Sequence, residues 1–482
     1  MVEIQRHKAA LHRHDVSRPI RLALEDGLVR PGTRVLDYGC GRGEDVRQLR
    51  GRGIACEGWD PVFRPDGERN SSDIVNLGYV VNVIEDSSER ADVLRQAWSF
   101  AEGILIVAGR LAIEAKAAAG ASVFEDGYVT RLGTFQKLYQ QDELRSWIQQ
   151  TLERDAVPAG PGVFYVFRDA HAQQTFLLSR YRRPLAIPRI RRTDALYDEH
   201  KELLRPLLEF LGARGRLPDT TELVQAKEIE TVFGSLGRAF RLLRSVVGDS
   251  QWADVEHQRT QDLLVYLALS RFDKRPKWSE LPRDVQLDVR AFFTHYQSAC
   301  ELADALLFSI GDVAALDRHI RECPLGKQTP TALYLHLSAL HSLPTALRLY
   351  EGCARRYIGS VDDATVIKLC RHEPRVSYLA YPNFDDDPHP VLASSLSVPL
   401  QTFRIDHRDY RASKNRPLLH RKEEFLAQDY PLREKFARLT QQEERFGLYG
   451  DPKNIGTEEG WAETLRRANV ALRGHRVVRR PS

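Results

Sequence analysis

Five residues in the first sixty have the types and spacing to hold a nucleoside ligand. In Val35-Leu36-Asp37-Tyr38-Gly39-Cys40-Gly41-Arg42-Gly43 an apolar run ends in an acid, and three glycines follow on alternate positions. Glycine lets the backbone turn tightly and approach a ligand where a side chain would clash. A strand, a glycine turn and a helix start form the opening unit of a nucleotide-binding α/β fold. A dinucleotide fingerprint would place Gly or Ala at position 44, but Glu44 stands there, an awkward neighbour for a pyrophosphate. Asp37 suits a ligand with a cationic end instead. One strand later, Ala55-Cys56-Glu57-Gly58-Trp59-Asp60-Pro61 ends in a second acid. An ionised carboxylate there can accept two hydrogen bonds from a ribose diol. The bland alternatives are a glycine-rich turn without a ligand and an Asp-Pro pair that merely ends a strand.

Reacting groups are less clearly marked. Asp73, a further candidate for the nucleoside ligand, opens the next strand, which runs into a loop ending at Ile84-Glu85. In such a sheet the second reactant enters at the carboxyl edge beside this loop, so Asn82 and Glu85 are candidates there. Asp126 and Gln136 could join them from a flap after Gly109. Glu85 could take a proton from a nitrogen or oxygen acceptor. The competing reading has Asn82 capping a turn and Glu85 facing solvent.

The elements that must position these groups follow from periodicity. Arg6 to Leu28 reads as a basic helix, lying over the ligand or simply solvated. Pro61–Asn70 leaves the usual third strand missing or very short. Ser87 or Ser88 caps a helix over 89–101, and Ile104-Leu105-Ile106-Val107 is a buried parallel strand. Gln136–Gln150 reads as a helix and Val163–Phe167 as the closing strand, completing one α/β domain at 1–170. Residues 180–192 hold six arginines, two prolines and no acid, within a basic linker at 171–195. That linker is either a phosphate track, with Tyr181 able to stack on a base, or a seam paired with acids of the next domain. Helical periodicity then runs over 196–375, with Leu204, Leu207, Leu208 and Leu211 on one face and Leu302, Leu306 and Ile310 on another. A small α+β module at 376–482 ends in a basic tail with six arginines from Arg466 to Arg480.

Whole-chain properties bound the function. With 482 residues, 42% apolar and 28% charged, the composition is that of a soluble multidomain protein. No apolar run of about 18 residues suggests a membrane span, and the basic N-terminus lacks an apolar signal core, so a cytoplasmic location is expected. The six cysteines form no C-x-x-C pair and suggest neither a disulfide framework nor a zinc site. Asp385–Asp387 with His389 could bind a metal but reads as a solvated acidic loop. His407, Asp409, His420 and Lys422 fit no nuclease spacing.

Asp37-x-Gly39-x-Gly41-x-Gly43 resembles the first motif of class I S-adenosylmethionine-dependent methyltransferases. The longer run Leu36–Val46, with Gly58-Trp59-Asp60-Pro61, Asn76–Glu85, Gly133–Tyr139 and Asn415–Glu423, resembles the methyltransferase family associated with DNA phosphorothioation. The chain departs from that pattern at Arg416, where a second proline is expected. The resemblance implies a Rossmann-like N-terminal domain, S-adenosylmethionine as cofactor, and a bacterial defence context. It also implies DNA and other proteins of a phosphorothioation system as partners. Asp37, Gly39, Gly41 and Gly43 would form the cofactor turn, with Asp60 on the ribose. The polar-Pro-Pro-aromatic loop of amino-group base methylation is replaced by Asn76-Leu77-Gly78-Tyr79, and no Pro-Cys pair offers a cytosine nucleophile. The acceptor therefore stays open. The competing class is a non-catalytic, cofactor-binding DNA-binding, assembly or sensor protein.

Overall fold

Short apolar runs in parallel build the sheet that carries the glycine turn. The computed structural model describes the chain except residues 1–3, 11, 115–120, 185–187, 191–193, 453 and 481–482. Helix α1 (Arg18–Glu25) precedes β1 (Arg34–Tyr38), α2 (Glu44–Gly51), β2 (Ala55–Trp59), β3 (Ser72–Gly78), α3 (Ser87–Phe100) and β4 (Ala101–Ala108). A meander of β5 (Ser122–Phe124), β6 (Gly127–Val129) and β7 (Phe135–Gln136) follows. After it come α4 (Gln141–Leu152), β8 (Ala156–Gly160), β9 (Val163–Phe167) and α5 (Ala170–Tyr181). The strand order is β2-β1-β3-β4-β9-β8. β1 to β4 pair in parallel, whereas β9 runs antiparallel to both β4 and β8. Residues 61–71 contribute no strand, as their prolines and charges suggest. The chain passes from β2 across β1 to β3, so the crevice beyond the carboxyl ends of β1 and β3 is the topological switch point.

Local chemistry moves two expected boundaries. Asp86, not Ser87 or Ser88, caps α3, accepting from the backbone N–H of Ser88 at 2.8 Å and of Glu89 at 2.9 Å. Helix α4 starts at Gln141 and not at Gln136, because Gln136 pairs with Tyr128 in the meander and Lys137 N–H donates to Asn82 O. Ala115–Gly120, part of the expected flap, lie outside the described residues.

Beyond α5 come α6 (Ala195–Glu199), α7 (Lys201–Arg214), α8 (Ala226–Phe233), α9 (Leu236–Val247) and α10 (Asp249–Leu269). Helices α11 (Arg283–Phe292), α12 (Tyr296–Ser309) and α13 (Val313–Glu322) continue the run. The helical run stops earlier than periodicity indicates. Strands β10 (Lys327–Gln328) and β11 (Ala332–His336) precede α14 (Thr345–Ile358). Then come β12 (Val366–Cys370), β13 (Arg375–Ala380), β14 (Ser394–Pro399) and β15 (Asp406–Asp409), completing a second, antiparallel sheet in chain order. Runs as short as Ala332–His336 cannot be told from helix by pattern alone. On α12 the buried residues are Ala299 and Ala303, while Leu302 is exposed. After α15 (Arg433–Arg445) and α16 (Glu458–Arg467), the expected tail is a hairpin of β16 (Val470–Leu472) and β17 (Val477–Arg479).

One apolar core runs from the first sheet to the second. Tyr165 and Phe167 of β9 meet Phe176 of α5, and Leu267, Tyr350, Leu369 and Val376 continue the same cluster. Helix α14 is buried along most of its length and contacts both β8 and β13. Two of the linker arginines form a seam: Arg182 pairs with Asp288 and Arg183 with Asp262, both buried acids, while Arg189 is exposed and Arg191 and Arg192 lie outside the described residues. Among the described residues no helix is long and apolar enough to cross a membrane.

Gly359 ends α14 at φ 73°, where an added Cβ would lie 2.3 Å from the carbonyl carbon of Ala159. Next to it, Ser360 N–H donates to Ala159 O, pinning this turn to the first sheet. Gly359→Ala should therefore cost strain of about 1–3 kcal/mol plus overpacking of about 1–3 kcal/mol. Gly32→Ala, at φ 92° with nothing within 4 Å, should cost the strain alone. Urea denaturation of both variants checks the difference.

Candidate functional site at the carboxyl edge

The three glycines all adopt left-handed backbone: φ is 85° at Gly39, 52° at Gly41 and 77° at Gly43. Gly39 and Cys40 N–H both donate to Trp59 O, tying the turn to the end of β2. A Cβ on Gly39 would meet Val80 Cγ2 at 2.4 Å, and one on Gly43 would meet the Arg64 guanidinium at 2.7 Å. Only glycine fits the first and third positions without displacing a neighbour. Asp60 organises the same turn: one carboxylate oxygen accepts from Gly41 N–H at 3.0 Å, and the other from Val62 and Phe63 N–H at 2.9 Å.

The turn is acid-rich. Asp37 is buried at the end of β1 and accepts from Asn76 Nδ2 at 2.8 Å, its register neighbour on β3. Burial, with the Asp45 charge beside it, pushes the Asp37 carboxyl up to about 8. Glu44 and Asp45 are buried in the first turn of α2, where the helix dipole favours anions. Asp45 also accepts from Ser17 N–H. The helix start is thus filled by its own carboxylates, Glu44 paired with Arg47 and Asp45 approached by Arg13, which disfavours a phosphate there. Cys40 Sγ is pushed up to about 12 by burial, so it stays a thiol.

A roof comes from the N-terminal segment. Gln5 N–H donates to Gly133 O, Arg6 spans Glu85 and Glu89, and Ala10 lies 3.3 Å from where a Gly41 Cβ would be. His12 approaches Glu44 and Arg13 approaches Asp45. The described part of the basic N-terminal stretch is therefore a 3-10 turn (Arg6–Ala9) and irregular backbone at 12–17 before α1, with Arg6, His12 and Arg13 facing acids of the edge.

Asp37, Gly39, Gly41, Gly43 and Asp60 converge on this edge. Asp73 does not: it pairs with the backbone and guanidinium of Arg34, the first residue of β1, at the opposite edge of the sheet. Asn82 is buried and donates to Gln136 Oε1 at 3.1 Å, and its own Oδ1 has no partner. Arg90 binds Asp126 through two bonds and also Ile84 O and Glu85 O, so the loop after β3 and the meander form one network. Arg90 and then Lys137 hold the Asp126 carboxyl down at about 2 against burial. Glu85 makes a two-bond pair with Arg6 that lowers its carboxyl, which makes it a weaker base.

Tyr79 escaped the sequence reading. It follows β3 at φ 63°, rare for a bulky side chain and a mark of functional strain. Tyr79 lines a cleft of about 490 Å³ with Ile113 and Pro161 of the first domain and Tyr378, His407 and Asp409 of the second sheet. Its neighbour Val80 packs on the glycine turn, so cleft and turn adjoin. His420 and Lys422 lie elsewhere: the His420 ring lies 4.5 Å from that of His389 and tilted to it, and buried Lys422 donates to Phe384 O and Asp387 O. His389 itself pairs with Glu443, and Asp385 accepts from Tyr430.

No family model and no curated protein matches the chain. Among solved structures it is similar to the magnesium protoporphyrin IX methyltransferase of Synechocystis PCC 6803 with bound SAM. Identity there is 15%, over 31% of this chain and 76% of that one, with a TM-score of 0.22. The 1,6-didemethyltoxoflavin-N1-methyltransferase of Burkholderia thailandensis is 13% identical, over 31% and 75%, with a TM-score of 0.23. A SAM-dependent methyltransferase from Thermotoga maritima, described as a possible histamine N-methyltransferase, is 13% identical over 34% and 92%, at 0.21.

Asp37 binds more protons folded than unfolded between its unfolded pKa of about 4 and its folded value of about 8. Its contribution to stability therefore falls as pH rises through that window. Asp37→Asn should flatten the fall, gaining on the wild type from pH 5 to pH 8 in thermal melts.

Proposed function

We propose that this protein is an S-adenosylmethionine-dependent methyltransferase acting on or near DNA, within a bacterial phosphorothioate-modification defence system. The observation that carries the reading is the left-handed glycine turn at the switch point, surrounded by buried carboxylates. A ligand with an ammonium and a sulfonium relieves the charge that raises Asp37. Asn76 Oδ1, buried without a partner, is an acceptor left for that ammonium. Asp60 retains lone pairs for the ribose hydroxyls while it holds Gly41. S-adenosylmethionine supplies a methyl group already activated by its sulfonium, so the protein has to align the partners and exclude water. Gln5 to Ala10, with His12 and Arg13, roof the turn, and the cleft at Tyr79 is the entry for the acceptor. The family resemblance supports the DNA context, and Glu85, Asp126, Asn82 and Gln136 shape the edge as a bonded network.

Asp60→Asn keeps an oxygen for the turn but removes its charge. It should weaken S-adenosylmethionine binding about tenfold or more in calorimetry, since hydrogen bonds to charged groups are worth about 1.5–3 kcal/mol. Transfer of labelled methyl from the cofactor to phosphorothioate-containing DNA, followed by mass spectrometry of its nucleosides, tests the activity. No transfer, with DNA affinity that changes when cofactor is added, would replace the enzyme with a sensor.

Phosphate contact is assigned to the C-terminal hairpin, where Arg473, Arg476 and Arg479 are exposed and pair with no described acid. Changing all three to Gln should weaken DNA binding irrespective of sequence. It should also reduce the slope of log affinity against log salt by up to about 0.9 per arginine. An unchanged slope in filter binding would remove the hairpin from the interface.

A further inference from the structure

The ion pairs between α5 and the helical region do not balance. Arg182, Arg183, Arg214, Arg216, Arg259 and Arg348 share four carboxylates, Asp262, Asp284, Asp288 and Glu222, among the described residues. Asp262 alone receives Arg183, Arg259 and Arg348. The adjacent Arg355–Glu351 pair adds no net charge. Two guanidinium charges are left over in a seam whose acids Asp262 and Asp288 are buried. Each arginine has a carboxylate partner, but shared partners leave the buried charge under-compensated, which a bound counter-ion would offset. Burial, with Arg182 and Arg183 alongside, holds Arg259 down at about 10, and its Nε has no partner.

The excess opens onto a cavity of about 460 Å³. Thr175, Ser179 and Arg182 stand on one face of α5 and its end, at helical spacing, and line it together with Arg183 and His341. Arg183 is spent on Asp262 and Gln258 O, whereas Arg182 makes one bond, to Asp288, and keeps donors for a ligand. Asp284, also on the wall, is held by Arg214. The Ser179 O–H is taken by Phe176 O, so the Thr175 hydroxyl beside a guanidinium with spare N–H groups is what suits a tetrahedral oxyanion.

We infer that this cavity is a binding site for a phosphate group, separate from the carboxyl edge of the first sheet. Its source is either a free phosphate ester or a nucleic-acid backbone, which share the chemistry.

The full-length protein tests it. Inorganic phosphate should raise the melting temperature beyond chloride at equal ionic strength and bind with one site in calorimetry. Arg182→Gln should weaken that binding about tenfold or more. Thr175→Val, which breaks no ion pair, should weaken it severalfold and serves if the arginine variant does not fold. Displacement of phosphate by duplex DNA identifies the backbone as source, and displacement by glycerol 3-phosphate alone identifies a free ester. Displacement by neither overturns the organic phosphate ligand. A phosphate effect no larger than that of chloride, or one unchanged in the folded variants, overturns the site itself.

Discussion

The arrangement of this protein depends on guanidinium groups buried against too few carboxylates. Asp262 on α10 gathers arginines from the linker, from its own helix and from α14. Such pairs add little net stability, because desolvation offsets attraction, but leaving one partner alone is costly. They therefore act as a register. With Arg348 bound to Asp262, α14 can lie only one way between the two sheets, and Gly359 then brings its end against β8. That placement sets the edge of the second sheet beside the carboxyl edge of the first, which creates the cleft at Tyr79.

The two charged regions have opposite sign and opposite use. Around the glycine turn, acids crowd together and one of them rises toward neutrality, a setting that favours a cationic ligand. Along the seam, guanidinium groups crowd together and favour an anion. The helix dipole of α2 adds to the distinction, since its N-terminus is already answered by Glu44 and Asp45.

Legibility followed the range of the interactions. Asp37, the glycines and Asp60 were readable because a βα turn and a strand-ending acid are local devices, complete within about thirty residues. Asp73 opens its strand, as read, and for that reason lies at the edge opposite the glycine turn, where Arg34 from the start of β1 takes its carboxylate. Glu85 looked like a free carboxylate because Arg6, which claims it, is 79 positions away. The choice between track and seam stayed open for Arg182 and Arg183 for the same reason, since Asp262 and Asp288 come from helices far along the chain. Strands β10 to β12 were lost among helices because they are short and flanked by helical pattern, whereas β13 to β15 fall at the start of the expected α+β module.

By itself, the sequence determined the first α/β unit, its glycine turn and the acid that closes it, because φ/ψ preference and hydrophobic period act over a few residues. Only the tertiary structure decided that Asn76 satisfies Asp37, that the N-terminal segment roofs the turn, and that Tyr79 faces residues of a second sheet. Those contacts join elements more than three hundred residues apart in the case of the cleft, and their pairing is set by burial and charge balance in the assembled core, which no local window contains.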